Sequence, residues 1–497
     1  MKKLLLILLT IALLLPATLL TSCEDKKKKP ADTSTNDGNE LSDVLGFGQQ
    51  DNGNEEFTIL LNNSLEINER DFKADANASD VVSKATYDRN LACEEYLGIA
   101  LNYIPEAGNW NSGMPKKIQD AVDSGNCPYD MVVMGMNTGI IGGQISSYKN
   151  ILEMDYINLS HSWWVQDLVE QNSINDQLYF ISGDACVTTY AFIGCMYVNL
   201  DVASAFNINE NFYELVKSGN WTMDKFYDLL KRVERNNDGN PEFDPTKDTY
   251  GWCNYDASGV RLMWSSCDMN MIVREDDGRF VLRESLDDKM LTFISKLKDH
   301  ADTAPHSAYV PAGDEMYNAF VQNRVLFVSG MLSYMEKFKQ HNIESAFAVL
   351  PLPKYDTNQE DYISTNFPSY NALYFPKIVN SPELSAQVAE YMGWYGQQHV
   401  IPAYYDEALK YRQNDDKANV EMIDLLRDTL RVTPNESYGV IGKTEKNSSV
   451  SIMSYTQATK YSLTNPDGLY SNPGSFWEKN QKEFAGLIDA YVWSYYE

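Results

Sequence analysis

Strand and helix alternate along the first third of this chain, and that alternation constrains its fold more than any single residue does. The apolar run FTILLNN (57–63) ends in two Asn, as a buried strand entering a loop does. A helix is expected over Val81–Leu97, a strand over IALNYI (99–104), a helix over MPKKIQDAVDSG (114–125) and a strand over YDMVVMGM (129–136). Parallel neighbours need a crossover that a helix supplies, so the pattern implies mostly parallel sheets with helices on their faces.

Later helices announce themselves by stripe and cap. Phe226, Leu229, Leu230 and Val233 lie on one face, with Thr222 as N-cap, and Met290, Phe293, Ile294 and Leu297 repeat the spacing. Ser381-Pro382-Glu383 opens a further helix whose stripe runs Leu384, Val388, Tyr391. The segments 236–250 and 435–448 read as polar surface loops. CVTTYAFIGC (186–195) reads as one strand that places Cys186 and Cys195 on opposite faces, unable to bridge, so buried free thiols are expected.

At the N-terminus, Lys2 and Lys3 precede an apolar run from Leu4 to Leu20 that suits a secretory signal of residues 1–22. Thr21 and Ser22 directly before Cys23 resemble the lipobox of bacterial lipoproteins, which implies lipidation of Cys23 and a protein anchored at the extracellular face of the cell membrane. Residues 23–56 are rich in polar residues, with their only sizeable apolar group at Leu45 and Phe47, a composition that suits a flexible tether. The net charge of −29 excludes nucleic acid as a partner and leaves the bilayer reachable through the anchor only. Five scattered His and no Cys-x-x-Cys pair argue against a metal centre, and no cofactor is expected.

Several segments, taken in order, resemble the extracellular solute-binding lipoproteins that serve ATP-binding-cassette importers, in the branch assigned to sugars. They are NFYELVKSGNWTMDKFYDLLKRV, NNDGNPEFDPTKDTYGW, NAFVQNRVLFVSG, FAVLPLPKYDTNQEDYIS and VIPAYYDEALK. The chain departs from many relatives at Val198-Asn199-Leu200, where they carry Asn-Lys. The loop Asn236-Asn237-Asp238-Gly239 lacks the first carboxylate and final Glu of an EF-hand calcium loop.

The resemblance implies a two-lobed α/β fold of the periplasmic-binding-protein type II, with a hinge and one ligand in the cleft. Lobe one is expected at 57–187 plus 354–410, and lobe two at 188–353 plus 411–497. It further implies a monomer that captures a carbohydrate, an oligosaccharide above all, and delivers it unaltered to the importer's permease subunits, with no catalytic residues. A binder of peptides or other polar solutes is the alternative, as is a surface glycan hydrolase or adhesion lipoprotein. No G-x-S-x-G elbow or H-E-x-x-H motif occurs.

A sugar needs flat aromatics for its C–H face and polar groups for its hydroxyl rim. Trp252, Asn254 and Trp264 are the candidates in lobe two, although a Trp more often packs a core. Asn63, Asn137 and Asp184 stand at expected strand C-terminal ends, where open α/β sheets bind ligands. Asn366 and Tyr370 follow DYIST and complete the set. Packing is expected for Trp163-Trp164 and Trp394-Tyr395.

Overall fold

A computed structural model of the chain describes residues 37–108, 113–139, 145–255, 258–301, 307–310, 314–410, 417–439, 442–445, 448–451, 456 and 465–492. The stretch read as a secretory signal, residues 1–22, and Cys23 lie outside the described residues. Within the stretch read as a tether, Asp37–Leu45 is helical and Leu45 and Phe47 are buried. Among the described residues, no helix is long and apolar enough to cross a membrane.

In chain order the strands are β1 (Glu55–Asn62), β2 (Ile99–Glu106), β3 (Met131–Gly135), β4 (Gly194–Asn199), β5 (Glu234–Arg235), β6 (Thr249–Tyr255), β7 (Ile272–Arg274), β8 (Phe280–Leu282), β9 (Ser307–Val310), β10 (Val325–Met331), β11 (Phe347–Leu350), β12 (Ser364–Thr365), β13 (Asn371–Tyr374), β14 (Leu430–Arg431), β15 (Gly442–Glu445) and β16 (Ser448–Ser451). They build two principal sheets. The first has the order β13-β3-β1-β2, with β1 parallel to both neighbours and β13 antiparallel to β3. The second has the order β11-β4-β10-β6-β5, with β9 also on β6. There β6 runs parallel to β10 and β9, while β4 runs antiparallel to β10 and β11.

The local signals read in the sequence explain the helices. Helix Val81–Leu97 starts where the Asp80 side chain accepts the Ser83 N–H at 2.8 Å, and it stops at Gly98, whose φ of 62° suits a residue without Cβ. Thr222 caps Met223–Leu230, and Ser381 caps Pro382–Tyr395 with Pro382 at the first helical position. The stripes of these helices and of Asp288–Ala301 are buried, as the spacing requires.

Two expectations are corrected. CVTTYAFIGC is not one strand: a short helix, Thr188–Ala191, breaks it before β4 begins at Gly194. Both its cysteines are buried and free, as are Cys93, Cys127, Cys253 and Cys267. The segment after Thr433 is no surface loop, because Pro434–Tyr438 is a buried helix closed by a Thr433/Glu436 capping box.

Candidate functional site

The two sheets present the same end to the segments that join them. In the first sheet, β13 begins at Asn371 opposite Gly135, the C-terminal end of β3. In the second, β4 begins at Gly194 opposite Met331, the C-terminal end of β10. The chain crosses between the sheets just before Gly194 and returns just before Asn371. Those crossings pair through an antiparallel bridge between Ile193 and Asn366, with the Phe367 N–H donating to the Phe192 carbonyl at 2.9 Å. The space beside this hinge is therefore flanked by strand C-terminal ends from both lobes, where open α/β sheets bind ligands.

On the lobe-one rim, Asn63 is exposed just past β1, and its N–H donates to the Glu106 carbonyl at 3.0 Å. Its neighbour Asn62 is buried and braces the rim, accepting the Gly108 N–H at 3.1 Å and donating Nδ2 to Asn371 Oδ1 at 3.0 Å. Asn137 follows β3 and touches the returning crossing, its N–H donating to the Pro368 carbonyl at 3.3 Å. Tyr370 lies beside it, with its carbonyl accepting the Met136 N–H at 2.9 Å. Asn366 sits in the crossing itself and donates Nδ2 to the Thr189 carbonyl at 2.9 Å. The Tyr370 hydroxyl and Asn366 Oδ1 are buried without a protein partner among the described residues. Asn137, Asn366 and Tyr370 are thus brought together at the hinge, with Asn63 along the same rim.

Asp184 is placed differently. It is fully buried, accepts the Tyr190 hydroxyl, and accepts Gln397 Nε2 at 3.0 Å. The Arg427 guanidinium lies over Tyr190 and Tyr405, 5.4 and 5.6 Å from their ring centroids. Burial pushes the Asp184 carboxyl up to about 6 against the pull of these partners. Its role in this arrangement is to hold the short hinge helix.

The tryptophans proposed as stacking faces are in lobe cores. Trp252 is 0% exposed, packs edge-on against Phe226 and donates its indole N–H to Ser329 Oγ at 3.1 Å. Trp264 is 1% exposed, contacts Phe293 and donates to the Tyr470 hydroxyl at 3.2 Å. With both ring faces covered by protein, the packing alternative describes them. Asn254 lies on β6 opposite Ser329 and Tyr309, and its side chain is outside the described residues. Trp163 and Trp164 are buried, as expected for packing.

Residues without a local sequence signal complete the hinge. Asp71 is 1% exposed and accepts the Thr188 N–H at 3.1 Å, the Thr188 hydroxyl, and Asn371 Nδ2 at 2.8 Å. One carboxylate therefore grips both crossings at their lobe-one ends, and burial pushes it up to about 6. A polar cavity of about 260 Å³ also opens beside the hinge, lined by Asp167 of lobe one together with Ser265, Thr365 and Glu436. Buried Glu436 accepts the Ser265 hydroxyl, and burial raises its carboxyl. In the loop considered for calcium, the Lys247 ammonium lies 3.3 Å from Asp238 and 3.2 Å from Asp244, so those carboxylates already have a cation.

No protein-family model matches the chain, and no curated protein matches it in sequence. Solved structures do match it. The GacH receptor of Streptomyces glaucescens, described in complex with acarbose, is 11% identical with a TM-score of 0.52, covering 86% of this chain and 99% of that one. Maltose-bound MalE3 of T. maritima is 12% identical with a TM-score of 0.52, covering 87% and 99%. An ABC substrate-binding protein of Listeria monocytogenes in complex with cycloalternan is 10% identical with a TM-score of 0.52, covering 88% and 98%. At such identities the likeness shows the fold: two α/β lobes with helices flanking mixed sheets.

Proposed function

We propose that this protein is a lipid-anchored receptor that captures a carbohydrate between its lobes and hands it, unaltered, to the permease subunits of an ABC importer. The observation that carries the reading is the convergence of strand C-terminal ends from both sheets on one hinge, in a fold shared with proteins described in complex with acarbose, maltose and cycloalternan. Exposed Asn63 is the hydroxyl-binding candidate already open to that space, while Asn137, Asn366 and Tyr370 are buried beside the hinge and meet a ligand only where lobe motion uncovers them; Asn254 stands at the end of β6. Trp252 and Trp264 hold lobe two together instead. Ligand contacts made only when the lobes close would drive the hinge, since a ligand shifts an equilibrium by its differential affinity for the two states.

The test is thermal shift and calorimetry against a panel of mono- and oligosaccharides. A bound saccharide at a hundredfold excess over its Kd stabilises the protein by about 2.7 kcal/mol, a readily measured rise in Tm. A peptide or amino acid that raises Tm where no saccharide does overturns the sugar reading. New reducing ends after incubation with oligosaccharides overturn the receptor reading in favour of a hydrolase.

A further inference from the structure

The geometry points to Arg70 and Glu336 as a cross-lobe latch that favours the interlobe arrangement of this structure before any ligand is present. The inference rests on the proposed hinged receptor, and it names a device within it. Arg70 ends helix Glu66–Arg70 in lobe one, while Glu336 lies in helix Tyr334–Gln340, just after β10 in lobe two. Their side chains meet with Arg70 Nη2 at 3.0 Å from Glu336 Oε1 and are 18% and 30% exposed, so water screens the pair only in part.

Both partners are held to the hinge by neighbours. Arg70 precedes Asp71, whose buried carboxylate binds Thr188 and Asn371, one on each crossing. Glu336 follows Leu332 and Ser333, whose N–H groups donate to the Ile193 and Ala191 carbonyls at 2.9 and 2.8 Å. Each charge therefore projects from a short, anchored segment, and its position follows its own lobe. A hydrogen bond at 3.0 Å is lost once its atoms separate by roughly a further 1 Å, so a small rotation of one lobe breaks the pair. Elsewhere between the lobes, Arg274 donates to the Glu170 and Ser173 carbonyls at 3.1 Å. Those acceptors are uncharged, so that contact responds less to salt than the Arg70–Glu336 pair does, whereas a second interlobe ion pair, Arg431 Nε at 3.7 Å from Asp167 Oδ1, is screened along with it, so the Glu336 substitution and not salt isolates the latch.

The experiment places nitroxide labels at Lys116→Cys in lobe one and Asp228→Cys in lobe two, whose side chains are 73% and 60% exposed. It uses the full chain with Cys23→Ala, the six other cysteines being buried. Interlobe distances are measured by pulsed electron resonance without ligand, and circular dichroism checks folding. Glu336→Gln is expected to lower the ratio of the interlobe distance of this structure to wider distances about fivefold, with high salt acting in the same direction on the wild type. The exchange Arg70→Glu with Glu336→Arg restores the ratio, which a merely structural role would not do. Should Glu336→Gln misfold, Glu336→Asp keeps the charge but shortens the reach and is expected to lower the ratio in part.

Superimposable distance distributions for wild type and Glu336→Gln overturn the latch. Saccharide titration of the same labelled proteins separates the two readings. A sugar-induced shift that is equal in both proteins, with no change before ligand, rejects the latch and keeps the receptor. A Glu336→Gln shift with no response to any saccharide keeps the latch and rejects the sugar.

Discussion

The indole N–H of Trp163 donates to Glu390 Oε2 at 2.6 Å, deep inside the first lobe. The Trp164 indole donates to the same oxygen at 3.0 Å, and the Asn158 N–H and His161 Nδ1 meet the other oxygen. A fully buried carboxylate is tolerated here because donors surround it. Glu390→Ala leaves both indoles without a partner, and it is expected to lower unfolding stability by about 3 kcal/mol or more. Trp163→Phe removes one donor and costs about 1–2 kcal/mol. Urea denaturation of the two variants checks the ranking, and equal losses would contradict it.

Trp252 and Trp264 make a prediction that separates packing from binding. Trp252→Ala and Trp264→Ala each open a cavity in a buried core and should lose about 3–5 kcal/mol of stability. Trp252→Phe keeps most of the volume while removing the indole donor to Ser329 Oγ, so its loss is smaller and its saccharide affinity is unchanged. A loss of affinity in folded Trp252→Phe, read by calorimetry, would return this ring to the binding site.

Asp71 and Asp184 predict a pH dependence. Burial lifts both from an ordinary 3.8 to about 6, so the folded protein holds their protons more tightly than the unfolded chain does. Their contribution to stability is therefore fully present below pH ~3.8 and is lost as pH rises through about 6. Asp184→Asn removes one of these titrations and should flatten that part of the stability profile between pH 4 and 6. Denaturation across that range gives the profile, and an unaltered slope counts against the assignment.

Gly396 shows how tightly the hinge is packed. A Cβ at this position would stand 2.0 Å from the Asp184 carbonyl oxygen, and backbone cannot yield as a flexible side chain does. Gly396→Ala should destabilise by about 2 kcal/mol or more and disturb the Asp184 bonds to Tyr190 and Gln397. Gly474→Ala, with open space around it, is the control and should be near neutral.

Cys23→Ala tests the proposed anchor. The variant should bind saccharide in solution as the wild type does yet fail to stay with membranes, and cells carrying it should take up the sugar more slowly. A tether keeps a receptor at high local concentration beside its partner. Equal uptake from both forms would leave the lipid without a role.

The sequence was legible wherever the cause is local. Helix Val81–Leu97, the Thr222 and Ser381 caps and the buried stripes follow from residues a few positions apart. The 435–448 segment misled at its start, because Asn435, Glu436 and Ser437 are buried: Glu436 finds the Ser265 hydroxyl 171 positions away, a partner no window can see. The Trp252 environment is distant too, with Ser329 arriving from 77 positions away on the neighbouring strand.

Alternation, capping and apolar period by themselves determined an α/β chain with helices between strands, because those properties are set by backbone geometry within a few residues. Only the tertiary structure decided that Asp71 binds both Thr188 and Asn371, that Arg70 meets Glu336, and that the tryptophans face inward. These depend on which segments fold together across tens to hundreds of residues, and a buried group's role is set by the donors and surfaces that arrive around it.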